Sequence, residues 1–296
     1  MYLKKFILAS LAALMLISAA GCGSSNSKPA ATGAPAGVTG SITGSGSSAL
    51  LPLVKDAAAK FKETNKGVSI SLNAGGSGTG LKQVADGSVD MGNSDVPAES
   101  KLPKEKAANL LDNKVCVMTV ATIVNKDVAA KVKSLTSQQL QDIFTAKVTN
   151  WKQVGGPDEN IVLVTRPKTS GTRALFKEYA LNKVEEAGNK SLETDDSGLL
   201  VQSVSQNPGA IGYVALPYLL NNDKVATVSI NNVAPTLANT YSGTYNVWGY
   251  EHIYTGKNPK AAVTAFLKFV TGDQYAARIE ALGYGASSKM QTKEVH

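Results

Sequence analysis

The sequence is poor in the side chains on which most metal and catalytic sites depend. Its 296 residues include two cysteines and two histidines, too few for a disulfide framework or a cysteine–histidine metal site. His252 lies in an aromatic-rich segment and His296 is the last residue, which leaves little material for a serine–histidine relay. The sequence therefore predicts neither a metal site nor a resident cofactor.

The glycine-rich segments also lack the spacings of common enzyme motifs. In Gly75–Gly80, Thr79 stands where a nucleophile elbow needs its last glycine. Leu81 stands where a dinucleotide-binding loop needs its third glycine, and no Walker-type loop occurs in the chain. We therefore expect no catalytic activity.

Positive charge is in modest excess, and it is not clustered. The chain has 30 lysines and arginines against 23 aspartates and glutamates. No basic tract with interleaved aromatic residues occurs, so a nucleic-acid partner is not expected. Scattered lysines are typical of a solvated surface that exerts some long-range attraction on anions.

The N-terminus has the pattern of a cleaved export signal. Two lysines precede the apolar stretch Phe6–Ala20, which has signal-peptide length and is too short to span a membrane comfortably. Small residues then lead to Cys22 in a pattern that resembles a bacterial lipobox, except that Ala19 stands where leucine is usual. We predict a signal peptide over 1–21, a lipid such as palmitate on Cys22, and a flexible tether over 22–38. An ordinary secretory signal cut after a small residue is the alternative.

The rest of the chain predicts an α/β fold, because short apolar β-like runs alternate with amphipathic helical patterns. Val115–Val124 is a long apolar strand, and Tyr245–Tyr254 is an aromatic-rich one. Each is a candidate for a strand that crosses between two lobes. Cys116, inside the first of them, is expected to be a small buried hydrophobic residue.

Three short loops rich in glycine, serine and threonine predict an oxyanion site. They are Gly44–Ser48, Gly75–Gly80 and Thr169–Thr172, and each precedes a helix-like segment. Such loops offer backbone N–H groups, hydroxyl donors and the positive end of a helix dipole. Arg166 precedes the third loop, whereas Asp95 would repel any anion that could not donate a proton to it. This combination points to phosphate.

These segments, in this order and spacing, resemble the phosphate-binding proteins, the solute receptors of high-affinity phosphate ABC transporters. The resemblance covers nearly all of residues 39–290. It rests on Thr43–Ser48, Gly75–Gln83, Asp90–Asp95, Leu135–Leu140 with Ile143, Phe144, Asn150 and Trp151, Arg166–Thr172, and Asn207–Tyr213.

The resemblance implies a two-lobed type II periplasmic-binding-protein fold whose ligand cleft lies between lobes joined by two crossing strands. Lobe I is expected over 39–119 plus 247–296, and lobe II over 120–246. It also implies a lipid-anchored, extracytoplasmic receptor that binds inorganic phosphate and delivers it to a membrane permease served by a separate ATPase. A receptor or sensor for another tetrahedral oxyanion is the alternative, followed by a cell-surface lipoprotein without a role in transport.

By position, the resemblance also implies the phosphate contacts, which are Ser47, Ser48, Ala49, Ser77, Asp95, Arg166, Ser170, Gly171 and Thr172. One position departs from the family pattern. Related receptors commonly carry an acidic residue two positions after this arginine, and here that residue is Lys168. The departure predicts that Arg166 lacks its usual carboxylate partner and that the rim of the pocket is more positive.

Each of these residues also has a simpler explanation. Ser77 suits a turn, and Asp95 suits a turn before Pro97. The serines of the first loop suit helix N-caps, and Arg166 suits a surface ion pair. Arg173 is expected at the exposed start of its helix, as a candidate for the rim only.

Overall fold

The computed structural model describes residues 37–188 and 191–292. The predicted signal peptide, Cys22 and all but the last two residues of the predicted tether lie outside the described residues. Within the described ranges, no helix has both the length and the apolar composition that crossing a membrane requires.

The described chain alternates strands with helices, as expected of an α/β fold. The strands are β1 Gly40–Gly46, β2 Val68–Ala74, β3 Met91–Ser94, β4 Leu110–Asn125, β5 Ser134–Leu135, β6 Val162–Thr165, β7 Ser191–Glu193, β8 Ala210–Ala215, β9 Val225–Ile230 and β10 Trp248–Gly256. The helices are α1 Leu51–Thr64, α2 Ser77–Ala85, α3 Lys104–Ala107, α4 Lys126–Ala129, α5 Ser137–Phe144, α6 Gly171–Tyr179, α7 Ser197–Gln206, α8 Leu237–Tyr241, α9 Ala261–Val270 and α10 Asp273–Ala281.

The strands form a mixed sheet whose main path runs β2-β1-β3-β10-β4-β8-β6-β7. Pairing is parallel among β1, β2 and β3 and among β6, β7 and β8, whereas β10 and β4 run antiparallel to their neighbours. Parallel strands joined through helices place the loops after their carboxyl ends at one edge of the sheet. The three predicted anion loops follow β1, β2 and β6 and therefore lie at such edges.

Strand β4 changes partners along its length. Its first part pairs with β10 up to the pair Thr119 and Trp248, and from Val120 onward it pairs with β8 and β9. β4 thus serves both halves of the sheet, as predicted for the run Val115–Val124. Cys116 is buried, also as predicted.

Each half of the sheet has its own apolar core. One core packs α1 and α9 against β1, with Phe61 and Phe266 in edge-to-face contact at 5.5 Å between ring centroids. The other lies around α5 and α6, where the rings of Phe176 and Tyr213 stack at 4.1 Å. Truncation of a buried phenylalanine such as Phe61 to alanine typically costs about 3–5 kcal/mol, so each half carries substantial packing energy of its own.

Two helices begin earlier than their sequence patterns indicate. We expected α2 from Leu81 and α6 from Arg173, but they start at Ser77 and Gly171. Glycine and serine are poor helix formers in a helix interior, which makes a glycine-rich run look like a loop. In the first turn that penalty is smaller, because the backbone N–H groups there have no partner within the helix. The later residues of both predicted loops, from Ser77 and from Gly171 onward, are therefore first-turn residues of helices.

Candidate anion-binding site

The N-termini of three helices meet at the carboxyl edge of the sheet. Loops Gly75–Gly80 and Thr169–Thr172 touch directly, because the N–H of Gly78 donates to the carbonyl of Thr169 at 2.9 Å. Gly171 lies so close to the second loop that a Cβ atom there would stand 2.3 Å from Oγ of Ser77. A side chain at position 171 would push the two loops apart, so the short distance between them requires glycine at this position.

The two serines of the first loop make different hydrogen bonds. Oγ of Ser47 accepts from the N–H of Leu50 at 3.1 Å, so Ser47 stabilises the turn that leads into α1. Oγ of Ser48 instead donates to the carbonyl of Asp195 at 2.6 Å and lies 2.9 Å from Oγ of Ser197. Ala49 is fully buried beside them. Ser48, not Ser47, reaches toward the loop on the other half of the sheet.

Asp95 is a buried carboxylate, not an exposed turn residue. It is 2% exposed, its N–H donates to Oγ of Ser77 at 3.1 Å, and its Oδ2 accepts from Oγ1 of Thr172 at 2.6 Å. Its Oδ1 is buried and meets no donor among the described residues. The structure thus brings Ser77, Asp95, Gly171 and Thr172 into one cluster, with one carboxylate oxygen still able to accept a hydrogen bond.

Arg166 is fully buried, which excludes its interpretation as a surface ion pair. Its Nη2 donates to Oγ of Ser197 at 3.0 Å and its Nη1 to the carbonyl of Asp195 at 3.3 Å. Its Nε is buried without a partner in the described chain. The guanidinium carbon lies 5.9 Å from the ring centroid of Tyr213, which backs the planar group. A planar, positioned guanidinium with spare donor capacity suits bidentate contact with an oxyanion.

The expectation that Arg166 lacks a carboxylate partner is wrong. Oδ1 of Asp195 lies 3.8 Å from Nη1 of Arg166, so the acidic partner comes from the loop after β7 and not from position 168. Burial raises the pKa of Asp195 to about 6, against the opposing effect of the Arg166 charge. The Asp195 carboxylate packs against Gly76, where a Cβ atom would stand 1.9 Å from Oδ2.

Arg173 is also buried, at 5% exposure, and is not the rim residue that we expected. Its Nη1 donates to the backbone carbonyl of Arg166, and its guanidinium faces Glu185 at 3.3 Å and Glu186 at 3.6 Å. These acidic residues draw the side chain back into the lobe, away from solvent. Arg173 therefore supports the backbone that carries Arg166.

A fourth loop completes the cluster, and sequence reasoning missed it. Asp195 and Ser197 contact Arg166 and Ser48, and the hydroxyl of Tyr218 donates to the carbonyl of Ser48 at 2.6 Å. The sequence contained one indication of this loop. Asp196 and Ser197 precede the apolar pattern of α7 and have the composition of a helix N-cap, which Asp196 provides to Leu199 at 2.8 Å.

A lysine-lined cavity opens beside the cluster. It has a volume of about 560 Å³ and is lined by Gly78, Lys82, Ser100, Lys101, Leu102, Pro103, Lys106, Lys168 and Thr169. Nζ of Lys101 donates to the carbonyls of Lys168 at 2.7 Å and Ser170 at 3.2 Å. Burial lowers the pKa of Lys101, while the nearby carboxylates of Asp95 and Asp195 oppose that shift. The prediction of a positive rim is consistent with this lining.

The arrangement can hold an anion. Helix N-termini, hydroxyls and a buried guanidinium are donors, whereas the free oxygen of Asp95 and the buried Oδ2 of Asp195 are acceptors. Among the described residues, no group of three or more histidine, cysteine or acidic side chains could hold a metal ion. His252 is bonded through Nδ1 to Asp112 at 2.8 Å and takes no part in the cluster contacts described above.

Comparison with known proteins finds relatives that are phosphate-binding proteins. A family model described as a PBP superfamily domain matches residues 30–274. The chain is 42% identical over 274 residues to the phosphate-binding protein PstS of Bacillus subtilis (strain 168), covering 91% of this chain and 89% of that protein. It is 31% identical over 268 residues to a phosphate-binding protein PstS of Staphylococcus epidermidis, covering 86% and 81%.

Solved structures show the same architecture. A candidate phosphate ABC transporter substrate-binding protein from Clostridium perfringens, crystallised with bound phosphate, matches with a TM-score of 0.76 at 30% identity, over 83% of this chain and 99% of that one. An ABC-type phosphate transport receptor from Vibrio cholerae matches with a TM-score of 0.65 at 25% identity, over 82% and 99%. These likenesses confirm the predicted type II periplasmic-binding-protein fold.

Proposed function

The chain belongs to the PBP superfamily of binding proteins, and from that premise we propose that it is an extracytoplasmic receptor for inorganic phosphate, not an enzyme. One observation carries the proposal. Buried Asp95 keeps a free acceptor oxygen in a cleft where donors also converge, with buried Arg166 among them. Phosphate near neutral pH offers both unprotonated oxygens for the donors and a proton for that acceptor.

The contact set that we propose follows from these positions. Arg166 supplies the positive charge, and Asp95 accepts the phosphate proton. Hydroxyl and backbone donors come from Ser48, Ala49, Ser77, Ser170, Gly171 and Thr172. Ser47 acts through its hydrogen bond with the N–H of Leu50, which fixes the backbone of the first loop.

The proposed lobes are 39–119 plus 247–296 and 120–246. The exchange of β4 partners between Thr119 and Val120 supports the first boundary, and the pairing of Trp248 with Thr119 supports the second. Because Ser48 and Asp95 bond to residues of the other lobe, ligand binding is expected to favour the conformation in which the lobes meet.

The family resemblance extends the proposal to partners and location. We propose that the receptor delivers phosphate to a membrane permease powered by a separate ATPase, and that a lipid on Cys22 anchors it to the outer face of the cell membrane. Replacement of that residue, Cys22→Ser, should release the protein from washed membranes, because lipid supplies most of the anchoring energy. A variant that remains membrane-bound after a high-salt wash would disprove the anchor.

Calorimetry of the stripped protein with phosphate, arsenate and sulfate tests the proposed function. We expect tight binding of phosphate and weak or absent binding of sulfate. Arg166→Ala should weaken phosphate binding by about 2–5 kcal/mol, because a buried charge-assisted contact is lost. Arg278→Ala is the matched control, since this half-exposed arginine on α10 pairs with Asp56 outside the cleft. Preferential binding of sulfate would favour the alternative of a receptor for another oxyanion.

A further inference from the structure

A row of buried polar groups continues sideways from Asp95 across the sheet. In the antiparallel pairing of β10 with β3, His252 is opposite Ser94 and Ile253 is opposite Asn93. The next position in this register places Glu251 opposite Asp95. Residues opposite each other on antiparallel strands have Cβ atoms about 4.5–5.5 Å apart. On its other side, Glu251 pairs with Cys116 of β4.

Glu251 is fully buried, and neither of its oxygens meets an N–H or hydroxyl donor in the described part of the chain. The facing Oδ1 of Asp95 is in the same situation. Buried carboxyl oxygens are rarely left unpaired, and two adjacent carboxylates repel each other. One proton shared by the two carboxyl groups pairs Oδ1 of Asp95 with one oxygen of Glu251 and removes the repulsion.

The other ionisable groups around Glu251 do not offer an alternative partner. β4 brings Cys116, and the segment after α10 brings Tyr284, whose hydroxyl donates to the carbonyl of Ala49 at 2.5 Å. The charged side chains of α2 and α6, which also pack against β10, are engaged elsewhere: Lys82 lines the lysine cavity, Arg173 and Lys177 contact Glu185, and Glu178 pairs with Lys183.

We propose that Glu251 is a positioning residue of the anion site, which stays protonated and donates a hydrogen bond to Asp95. The proposal rests on the phosphate-binding function of the cleft. Burial first, and then the negative charge and hydrogen bond of Asp95, raise the pKa of Glu251 well above its ordinary value. With Thr172 bonded to Oδ2, the Glu251 proton would fix the plane of the Asp95 carboxyl group. The remaining lone pair of Oδ1 of Asp95 would then be directed at the phosphate proton.

Two substitutions of nearly equal size separate this role from simple packing. Glutamine retains an N–H donor for Asp95, whereas methionine fills the same space without one. We expect Glu251→Gln to bind phosphate within a few-fold of the native protein. We expect Glu251→Met to bind roughly 10- to 100-fold more weakly, the loss typical of one hydrogen bond to a charged group. Equal affinities of the two variants would overturn the proposal.

Combination with Asp95→Asn tests whether Glu251 acts through Asp95. In the Asp95→Asn background, Glu251→Met should cost no further phosphate affinity, because the partner that it positions has changed. A loss as large as in the native background would show that Glu251 acts by another route and would refute the proposal. Thermal unfolding of each variant checks that affinities are compared between folded proteins.

An infrared measurement keeps the proposal testable even where the methionine variant fails to fold. At about pH 9, where Glu186 with its pKa of about 7 is ionised, the native protein should show the C=O stretch of a buried protonated carboxyl group, and Glu251→Gln should lack it. A native spectrum without that band would contradict the shared proton. This result does not depend on phosphate binding. A native protein that shows the band but fails to bind phosphate would therefore count against the proposed function and not against the shared proton.

Discussion

At the scale of single residues, Asp95 and Arg166 place opposite demands on a bound anion. The buried guanidinium needs a negative charge, whereas the buried carboxylate needs a proton donor. An anion that carries both charge and proton meets both demands. A fully deprotonated anion would leave two negative groups in contact, and uncompensated buried charge costs several kcal/mol. Selectivity in this site would therefore come from a penalty against the wrong anion.

Asp95→Asn should relax this exclusion. The amide can turn its NH₂ group toward a bare oxygen, so we expect sulfate affinity to rise at least tenfold, or by about 1.4 kcal/mol, while phosphate affinity falls. Competitive titration of both anions measures the change. Asp90→Asn is the control, because Asp90 pairs with Lys260 and Thr43. Unchanged rejection of sulfate by Asp95→Asn would place selectivity elsewhere.

A further buried carboxyl group, Glu186, makes stability depend on pH. Its side chain is fully buried behind Arg173, and burial raises its pKa from an ordinary 4.5 to about 7. Between these two values the folded protein retains a proton that the unfolded chain has lost. The free energy of unfolding therefore falls as pH rises from about 4.5 to 7 and is unaffected by this group at higher pH.

Glu186→Gln should abolish this loss of stability. Relative to the native protein, the variant should gain roughly 1–3 kcal/mol in unfolding free energy between pH 4.5 and 7. Denaturant titrations across this range provide the measurement. Glu185→Gln is the control with the opposite sign, since hydrogen bonding by Lys177 lowers the pKa of the exposed Glu185. A constant difference between Glu186→Gln and native protein at all pH values would contradict the assignment.

Single residues were the least predictable level of the site. Composition and spacing made Asp95 a candidate acceptor but did not separate it from a turn aspartate before Pro97, and the family resemblance favoured the site residue. Asp195 and Glu251 were missed because they are distant in sequence from the residues they contact. Asp195 reaches Arg166, and the strand register brings Glu251 beside Asp95. No local sequence pattern indicates either contact. Arg173 was misplaced since its acidic partners follow the helix that it begins.

At the scale of elements, the site depends on how closely two helix N-termini approach each other. The N-termini of α2 and α6 can share an anion only if Gly171 lies against Ser77 and Asp95. A Cβ atom at position 171 would stand 2.3 Å from Oγ of Ser77 and 2.9 Å from Cβ of Asp95. The second of these contacts cannot be relieved by rotation of a side chain.

Gly171→Ala should therefore separate the lobes without destabilising either one. Its backbone torsion does not require glycine, and alanine favours helix, so the unfolding temperature of the stripped protein should change little. Phosphate affinity should fall at least tenfold, or by about 1.4 kcal/mol. Gly198→Ala in the first turn of α7 is the matched control, because its Cβ would meet only Oδ1 of Asp196 at 3.2 Å. Native affinity in Gly171→Ala would exclude the close approach as a requirement for binding.

The elements themselves were predictable in proportion to their length. The long apolar run Val115–Val124 was recognised, and it lies within β4 Leu110–Asn125, whose earlier residues are more exposed. Strands β5 and β7, with two and three residues, carry too little alternation to be recognised. The starts of α2 and α6 were placed too late, because first-turn glycines and serines have the composition of a loop.

At the scale of the whole molecule, connectivity explains why the site lies where it does. β4 and β10 run through the middle of the sheet and separate the parallel strands of the two halves. The loops that follow β1, β2 and β6 can therefore approach from both sides. The alternation of apolar strand-like runs with helical patterns predicted an α/β protein, and the family resemblance carried by the motifs implied two lobes. The part that the loop after β7 plays in the site could be recognised only in the three-dimensional structure, because the order of elements along the chain does not reveal which strand ends lie together.

The lysine cavity gives the whole molecule an electrostatic approach to the cleft. Lys82, Lys101, Lys106 and Lys168 line it together, whereas its lining contains no acidic side chain among the described residues. Lys106 is partly neutralised by Asp86 at 2.9 Å. Lys168 is exposed and lies two residues before Ser170 of the site. A positive entrance of this kind raises the local concentration of anions and the rate at which they associate.

Lys168→Gln should slow phosphate association without much change in dissociation. At low ionic strength we expect the association rate constant to fall about two- to fivefold, and the difference from native protein should shrink as salt screens the charge over about 10 Å at 0.1 M. Stopped-flow measurements over a salt series test this. Lys268→Gln on α9 removes the same net charge from a surface outside the cavity and should leave the rate near native. Equal effects of the two substitutions would show that phosphate responds to net charge alone, and the lysine cavity would then have no part in guiding it.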